Sequence, residues 1–234
     1  MAKTKQKKGE EGIDLIENPD AFVSKTEEFF NNKRNQNIVF GAGAIIAVLV
    51  AAFVFYKSYQ SNQNKEAHEE MFQAIYYFEA DSVGRALNGD GNNYGFLDIV
   101  DIYSGTEAAN LANFYIGASY LKLGQYENAI RYFDDFSSSD VLIQSRAYSL
   151  TGDSYMELDD FENAISAYQK AVDHKPTKAF TPTYLQKLAI AYEESGDLES
   201  AVETYGRIIE EYPLSDQFQD AQKHKARLEG LLAE

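Results

Sequence analysis

Three stretches of the chain repeat one another: LANFYIGASYLKLGQYENAIRYFDDF at 111–136, RAYSLTGDSYMELDDFENAISAYQKA at 146–171 and TYLQKLAIAYEESGDLESAVETYGRI at 183–208. Ala129, Ala164 and Ala201 correspond, which places successive units 35 and 37 residues apart. A recurrence of this length denotes stacked helix pairs, because one pair cannot bury its apolar face alone and neighbours bury it for one another. Gly117, Gly152 and Ala189 are small where the second helix of a unit crosses the first, and Tyr120, Tyr155 and Tyr192 follow one turn later. Gly124 and Gly196 end the first helix where a left-handed residue is easiest, with Asp159 in that place in the middle unit. Tyr126, Phe161 and Leu198 open the second helix, the three alanines are its close-contact points, and Phe133, Tyr168 and Tyr205 pack one turn on. Pro176 and Pro213 close units two and three, with Val141 at the corresponding place in unit one. The predicted fold is all-α.

Over roughly residues 108–214 these positions resemble the tetratricopeptide repeat family, and the resemblance implies three units of an α-solenoid. Departures are Asn113 where a large aromatic often stands, Phe136 in place of a small residue, and two extra residues around Lys178–Pro182. After Pro213, SDQFQDAQKHKARLEGLLAE starts with Ser215 as a predicted N-cap and puts Phe218, Ala221, Leu228 and Leu231 on one face, as a capping helix requires.

Upstream, Ile38 to Tyr56 reads IVFGAGAIIAVLVAAFVFY, nineteen residues without a charge or amide side chain. At about 1.5 Å per residue this spans roughly 28 Å as a helix, close to the hydrocarbon thickness of a bilayer. A core helix rarely runs five turns without a polar position, so a retained single-pass transmembrane helix is expected over 38–56. Gly43, Ala47 and Ala51 fall at four-residue spacing on one face, where another membrane helix could approach closely. Residues 1–37 form a short tail, predicted disordered over MAKTKQKKGEEG. Its helix is expected to begin at Asn18-Pro19-Asp20, with Phe22, Val23, Phe29 and Phe30 on one side. Residues 57–103 read as a helical extension and degenerate repeat, with Ala67, Met71, Ala74 and Phe78 on one face and NGDGNNYG at 88–95 as a turn. A calcium loop is disfavoured there, because Asn93 and Ile99 stand where its glycine and closing glutamate would be. Residues 104–234 hold the three units and the cap.

The 234 residues carry 21 Lys and Arg against 37 Asp and Glu, a net charge of −16, which argues against a nucleic-acid partner. The tail balances seven basic against seven acidic side chains, so the whole excess lies after the hydrophobic run. The lysines of the tail favour its retention inside, with the acidic bulk outside. With no cysteine, thiol nucleophiles and Cys-ligated metals are excluded. His68, His174 and His224 lie in separate segments, and no constellation of nucleophile, base and orienter is visible, so neither an enzyme nor a cofactor is expected.

The inner wall of the array comes from the first helix of each unit, on the side away from the packed residues. It should present Phe114, Ala118, Leu121 and Lys122, then Arg146, Ser149, Asp153 and Glu157, then Gln186, Ile190, Glu193 and Glu194. Phe114 and Ala118 replace the first Lys and Asn of the carboxylate clamp found in co-chaperone members. A groove that begins apolar and ends acidic favours an apolar or basic segment. The whole layout, a short charged tail with an EFF-type segment, one anchor, a helical extension and C-terminal repeats, resembles the YfgM family. That resemblance implies an accessory subunit of the SecYEG protein-export channel in the inner membrane. Its tail would be cytoplasmic and its repeats periplasmic, contacting chaperones or emerging polypeptides. An envelope scaffold, or an import-receptor-like protein with cytosolic repeats, stays open.

Overall fold

The computed structural model describes Val23, Glu27 and residues 29–234, and every regular element among them is a helix. The chain divides into a unit that ends at Tyr59 and a second, Gln60–Glu234. The polar stretch 1–12 and the helix start at Asn18-Pro19-Asp20 lie outside the described residues; Val23, Phe29 and Phe30 are exposed. Helix α1, Lys33–Glu79, contains a stretch long and apolar enough to cross a bilayer by length and composition. Gly43, Ala47 and Ala51 are exposed on it, and a Cβ added at Gly43 would meet nothing within 4 Å.

The second unit continues through α2 (Val83–Asn88) and α3 (Phe96–Ile102) into the helix pairs. These are α4 (Glu107–Lys122) with α5 (Tyr126–Asp134), α6 (Val141–Met156) with α7 (Phe161–Asp173), and α8 (Thr181–Ser195) with α9 (Leu198–Glu211). Helix α10, Phe218–Leu232, closes the array. Each pair turns the same way. The N–H groups of Gly124, Asp159 and Gly196 bond to the carbonyls of Leu121, Met156 and Glu193, and the next residue in each case reaches back to Tyr120, Tyr155 or Tyr192. This double closure needs a left-handed residue, and Asp159 takes it at φ 55° beside the glycines at 70° and 84°. Asp160 and Asp197 then cap α7 and α9 through the N–H groups of Asn163 and Ser200.

Small residues set the spacing inside the pairs. A Cβ at Gly117 would lie 2.7 Å from the Phe133 ring, and one at Gly152 2.5 Å from that of Tyr168. Ala129, Ala164 and Ala201 are completely buried on the opposing helices.

Residues 60–103 share a core with the repeats. Ala67, Met71 and Ala74 of α1 and Phe96 and Ile99 of α3 pack in one buried cluster with Ala108, Ala112 and Ile116 of α4. Phe96 stacks on Tyr115 at 5.0 Å, and Phe78 meets both rings edge-on. Asn64 Oδ1 accepts from the N–H of Ala108, satisfying a helix N-terminus across the two segments. A fragment of residues 60–234 is therefore expected to melt cooperatively, whereas 104–234 exposes one face of α4 and should melt lower and bind a hydrophobic dye. Equal midpoints for the two fragments would contradict the shared core.

One expectation changes, at the cap, and the turn at 88–95 has a polar centre. NGDGNNYG closes around Asp90, whose carboxylate accepts from Tyr77 Oη at 2.6 Å, from the N–H groups of Asn92 and Asn93, and from the Asn93 amide. These bonds hold the Asp90 carboxyl far below its ordinary value. Ser215 does not cap the last helix: α10 begins at Phe218 with Gln217 before it, and the Ser215 hydroxyl has no hydrogen-bond partner. The chain between Tyr212 and Phe218 turns through Ser215, whose N–H bonds to the Tyr212 carbonyl, and this moves the cap from Ser215 to Gln217. Ala221 and Leu228 are buried on α10, while Leu231 is exposed.

Candidate protein-interaction surface

The first helices α4, α6 and α8 carry the wall on which binding residues were expected. Arg146, Glu157, Ile190 and Glu194 are exposed there, Ile190 at 38%, and Leu121 and Gln186 are half-buried. Lys122 is exposed but donates to Asp81 at 2.7 Å and lies over the Phe78 ring at 5.0 Å. Glu157 accepts from Tyr126 Oη at 3.0 Å.

Phe114 is not on an open wall. It is 8% exposed and packs against Phe133 and Phe136 at ring separations of 6.0 and 5.5 Å, in a cluster with Ala129 and Ala147. The cause is the early end of α5, which lets Phe136 fold back over α4. Ser149 is likewise buried.

Asp153 and Glu193 are occupied by the fold itself. Asp153 accepts from Tyr168 Oη at 2.7 Å and from Lys187 Nζ at 2.6 Å. Glu193 accepts from Tyr205 Oη at 2.7 Å, lies 3.2 Å from His224 Nδ1, and pairs with Arg227. Each carboxylate thus satisfies a tyrosine hydroxyl from its own pair and takes a cation from the next first helix or from α10. Unit one has Phe133 in place of the tyrosine, with Ala118 and Leu121 at the wall positions. Where no hydroxyl needs a partner, no carboxylate is supplied.

Burial and the adjoining carboxylates push the Tyr168 and Tyr205 hydroxyls well above their ordinary value, so both remain donors at any working pH. Burial opposes the charge of Glu193, yet the bonds from Tyr205, Arg227 and His224 outweigh it and hold its carboxyl below 4.5. A depressed folded value stabilises the fold above the unfolded value, and that stabilisation is lost as pH falls through the folded one. Acidification below 4.5 should therefore loosen α10, read as faster amide exchange in 218–232, and Glu193→Gln should flatten that dependence. Exchange in α10 that responds to acid equally in both proteins would remove Glu193 from this role.

Family models of the tetratricopeptide repeat match residues 115–179 and 184–215. These are tetratricopeptide repeats. Solved structures of similar fold include MamA residues 41 to the end from Desulfovibrio magneticus RS-1, with a TM-score of 0.50 at 24% identity over 62% of this chain and 74% of that one. A second MamA structure gives a TM-score of 0.55 at 18% identity over 69% and 80%. At these identities the likeness is one of fold. No curated protein matched the sequence. Tetratricopeptide repeats in general mediate protein–protein interaction, and the repeats present two faces for it. The first-helix wall offers Arg146, Glu157, Gln186, Ile190 and Glu194. The second helices carry a cavity of about 320 Å³ between α5 and α7, floored by α6, whose position the repeat pattern did not reveal.

Proposed function

We propose that this chain is a membrane-anchored interaction subunit whose repeats recruit protein partners at the membrane surface, most specifically as an accessory component of the SecYEG export channel. The observation that carries the reading is the order of the parts. An uncharged run of nineteen residues stands between a charge-balanced tail and a following part, 57–234, that holds the whole net charge of −16. A long acidic domain crosses a membrane largely regardless of charge, while the lysines of the tail favour the inner side. The repeats would then face the periplasm, within reach of emerging polypeptides and their chaperones. Gly43, Ala47 and Ala51 would be the contact with channel helices, through close backbone approach.

The test is affinity purification of the full chain in mild detergent from membranes. Channel subunits are expected to co-purify, and replacing Gly43, Ala47 and Ala51 together by Leu should reduce their yield severalfold without loss of insertion. Recovery of other envelope machinery without channel subunits would replace this reading by a scaffold role. An alkaline-phosphatase fusion at the C-terminus that is inactive would place the repeats in the cytosol instead.

A further inference from the structure

The second helix of unit one is shorter than its counterparts: α5 has 9 residues where α7 has 13 and α9 has 14. Its missing last turn leaves the cavity of about 320 Å³, inside the range of about 300–1,000 Å³ common to specific binding pockets. Phe133, Phe136, Tyr148 and Tyr155 supply aromatic surface, with Ala167 of α7 leaving room above them.

Gln144 lines this space although it is only 4% exposed. Its Oε1 accepts from the N–H of Ser138, which fixes the side chain, and among the described residues its Nε2 donates to no partner. A fixed, largely buried amide with free donors beside an aromatic floor is equipped to meet a backbone carbonyl of a bound segment. A second, more open cavity adjoins through Tyr148, Ser166 and Lys170, and adds the carboxylates of Glu162 and Asp173. Asp134 stands at the first cavity, so three carboxylates face one lysine across the two.

Resting on the interaction reading above, we infer that the α5–α7 face binds an extended segment of a partner protein. An aromatic side chain of that segment enters the cavity, and a lysine or arginine within two positions lies in the adjoining acidic space. The aromatic contributes stacking and buried area against the four rings. Side chains two apart in an extended segment point the same way, which lets both enter from one side. The net charge of −16 attracts a basic segment at long range.

The test uses the full chain in detergent micelles and fluorescein-labelled twelve-residue Gly/Ser peptides carrying one Phe and, two positions on, one Lys. Anisotropy should show binding that falls at least tenfold when Phe is replaced by Ser or Lys by Glu. Ser166→Trp, at an exposed position on the shared rim, should abolish binding with an unchanged melting curve. Lys170→Glu should tighten the Lys-bearing peptide severalfold, and it decides the matter if Ser166→Trp folds poorly. Ile190→Trp on the first-helix wall should leave binding as it is. Unchanged affinity in Ser166→Trp or Lys170→Glu, or loss in Ile190→Trp alone, would overturn the cavity assignment. So would no binding of any peptide. Co-purification with membrane partners, measured on Ser166→Trp and wild type together, reports separately on the interaction reading.

Discussion

Gly152→Val is expected to abolish the cooperative melting of the repeat unit. An added Cβ at this position would lie 2.5 and 2.6 Å from two atoms of the Tyr168 ring, closer than real Cβ atoms come, and the two valine methyls would go further in. The ring has nowhere to go. It is 3% exposed and packs within the cluster formed by Ala164, Leu185, Leu188 and Tyr205. Its hydroxyl is tied to Asp153, which Lys187 of the next pair also holds. Moving the ring would strand that carboxylate and break the link between units two and three. Overpacking a core commonly costs about 1–3 kcal/mol, and loss of the buried hydroxyl's partner adds about 1–3 kcal/mol more. Unit three shows the milder case: Ala189 stands where Gly152 does, opposite Tyr205, so a methyl is compatible with this kind of crossing when the helices are spaced for it. Gly152→Ala should therefore fall between wild type and Gly152→Val. Far-UV circular dichroism against temperature checks the series, and a Gly152→Val protein that melts within a few degrees of wild type would show that the crossing is not close.

The contrasting substitution is Glu157→Gln. Glu157 is exposed and its one bond, from Tyr126 Oη, is kept by an amide oxygen. Surface changes of this kind usually stay within about 0.5 kcal/mol. Equal loss in Glu157→Gln and Gly152→Val would mean that the two faces of α6 have been exchanged.

How far the sequence is legible follows from which interactions are local. The crossings at Gly117 and Gly152, the left-handed Gly124, Asp159 and Gly196, and the alanines opposite them recur at fixed spacing, so a single unit displays them and its neighbours repeat them. The carboxylates at the wall read as free charge because Asp153 and Lys187 belong to different units, as do Glu193 and the cap residues His224 and Arg227. A signal was nevertheless present: carboxylates stand at the wall in the two units that have tyrosine at 168 and 205, and are missing in the unit that has Phe133. Phe114 leaves the wall for a related reason. The wall pattern presumes a second helix of full length, and the run SSSD at 137–140 that ends α5 early carries no periodicity by which to see it. The core of residues 60–103 was harder still, since Ala67, Ala74 and Ala86 are weak hydrophobic markers whose burial depends on Phe96, Ile99 and α4 arriving from elsewhere.

That last core gives the second large effect, because its closure depends on a loop with no room for a side chain. At Gly95 an added Cβ would lie 2.2 Å from the carbonyl oxygen of Leu87 and 2.4 Å from the nitrogen of Gly89. At Gly89, which has φ 74°, it would lie 2.3 Å from the carbonyl oxygen of Asn93. These neighbours are backbone atoms, so no rotamer change relieves the contact; the chain must open between 87 and 95. Opening it removes the Asp90 hub from Tyr77 and shifts Phe96, the first residue of α3, which is fully buried against Tyr115 and Phe78. Gly95→Ala is thus expected to cost about 3 kcal/mol or more, the scale of losing a large buried aromatic from a core. Its effect should concentrate in α1 beyond Gln60, α3 and the first half of α4, visible as loss of amide protection there while α8 to α10 stay protected. Gly84→Ala is the matched control, since an added Cβ there meets nothing within 4 Å and the residue lies in α2, where alanine is the better helix former by about 0.5–1 kcal/mol. If Gly95→Ala behaved as Gly84→Ala does, the crossing of 87–89 with 93–95 would not be what holds α3 on the repeats, and residues 60–103 would have to dock through the Phe78, Phe96 and Tyr115 rings alone.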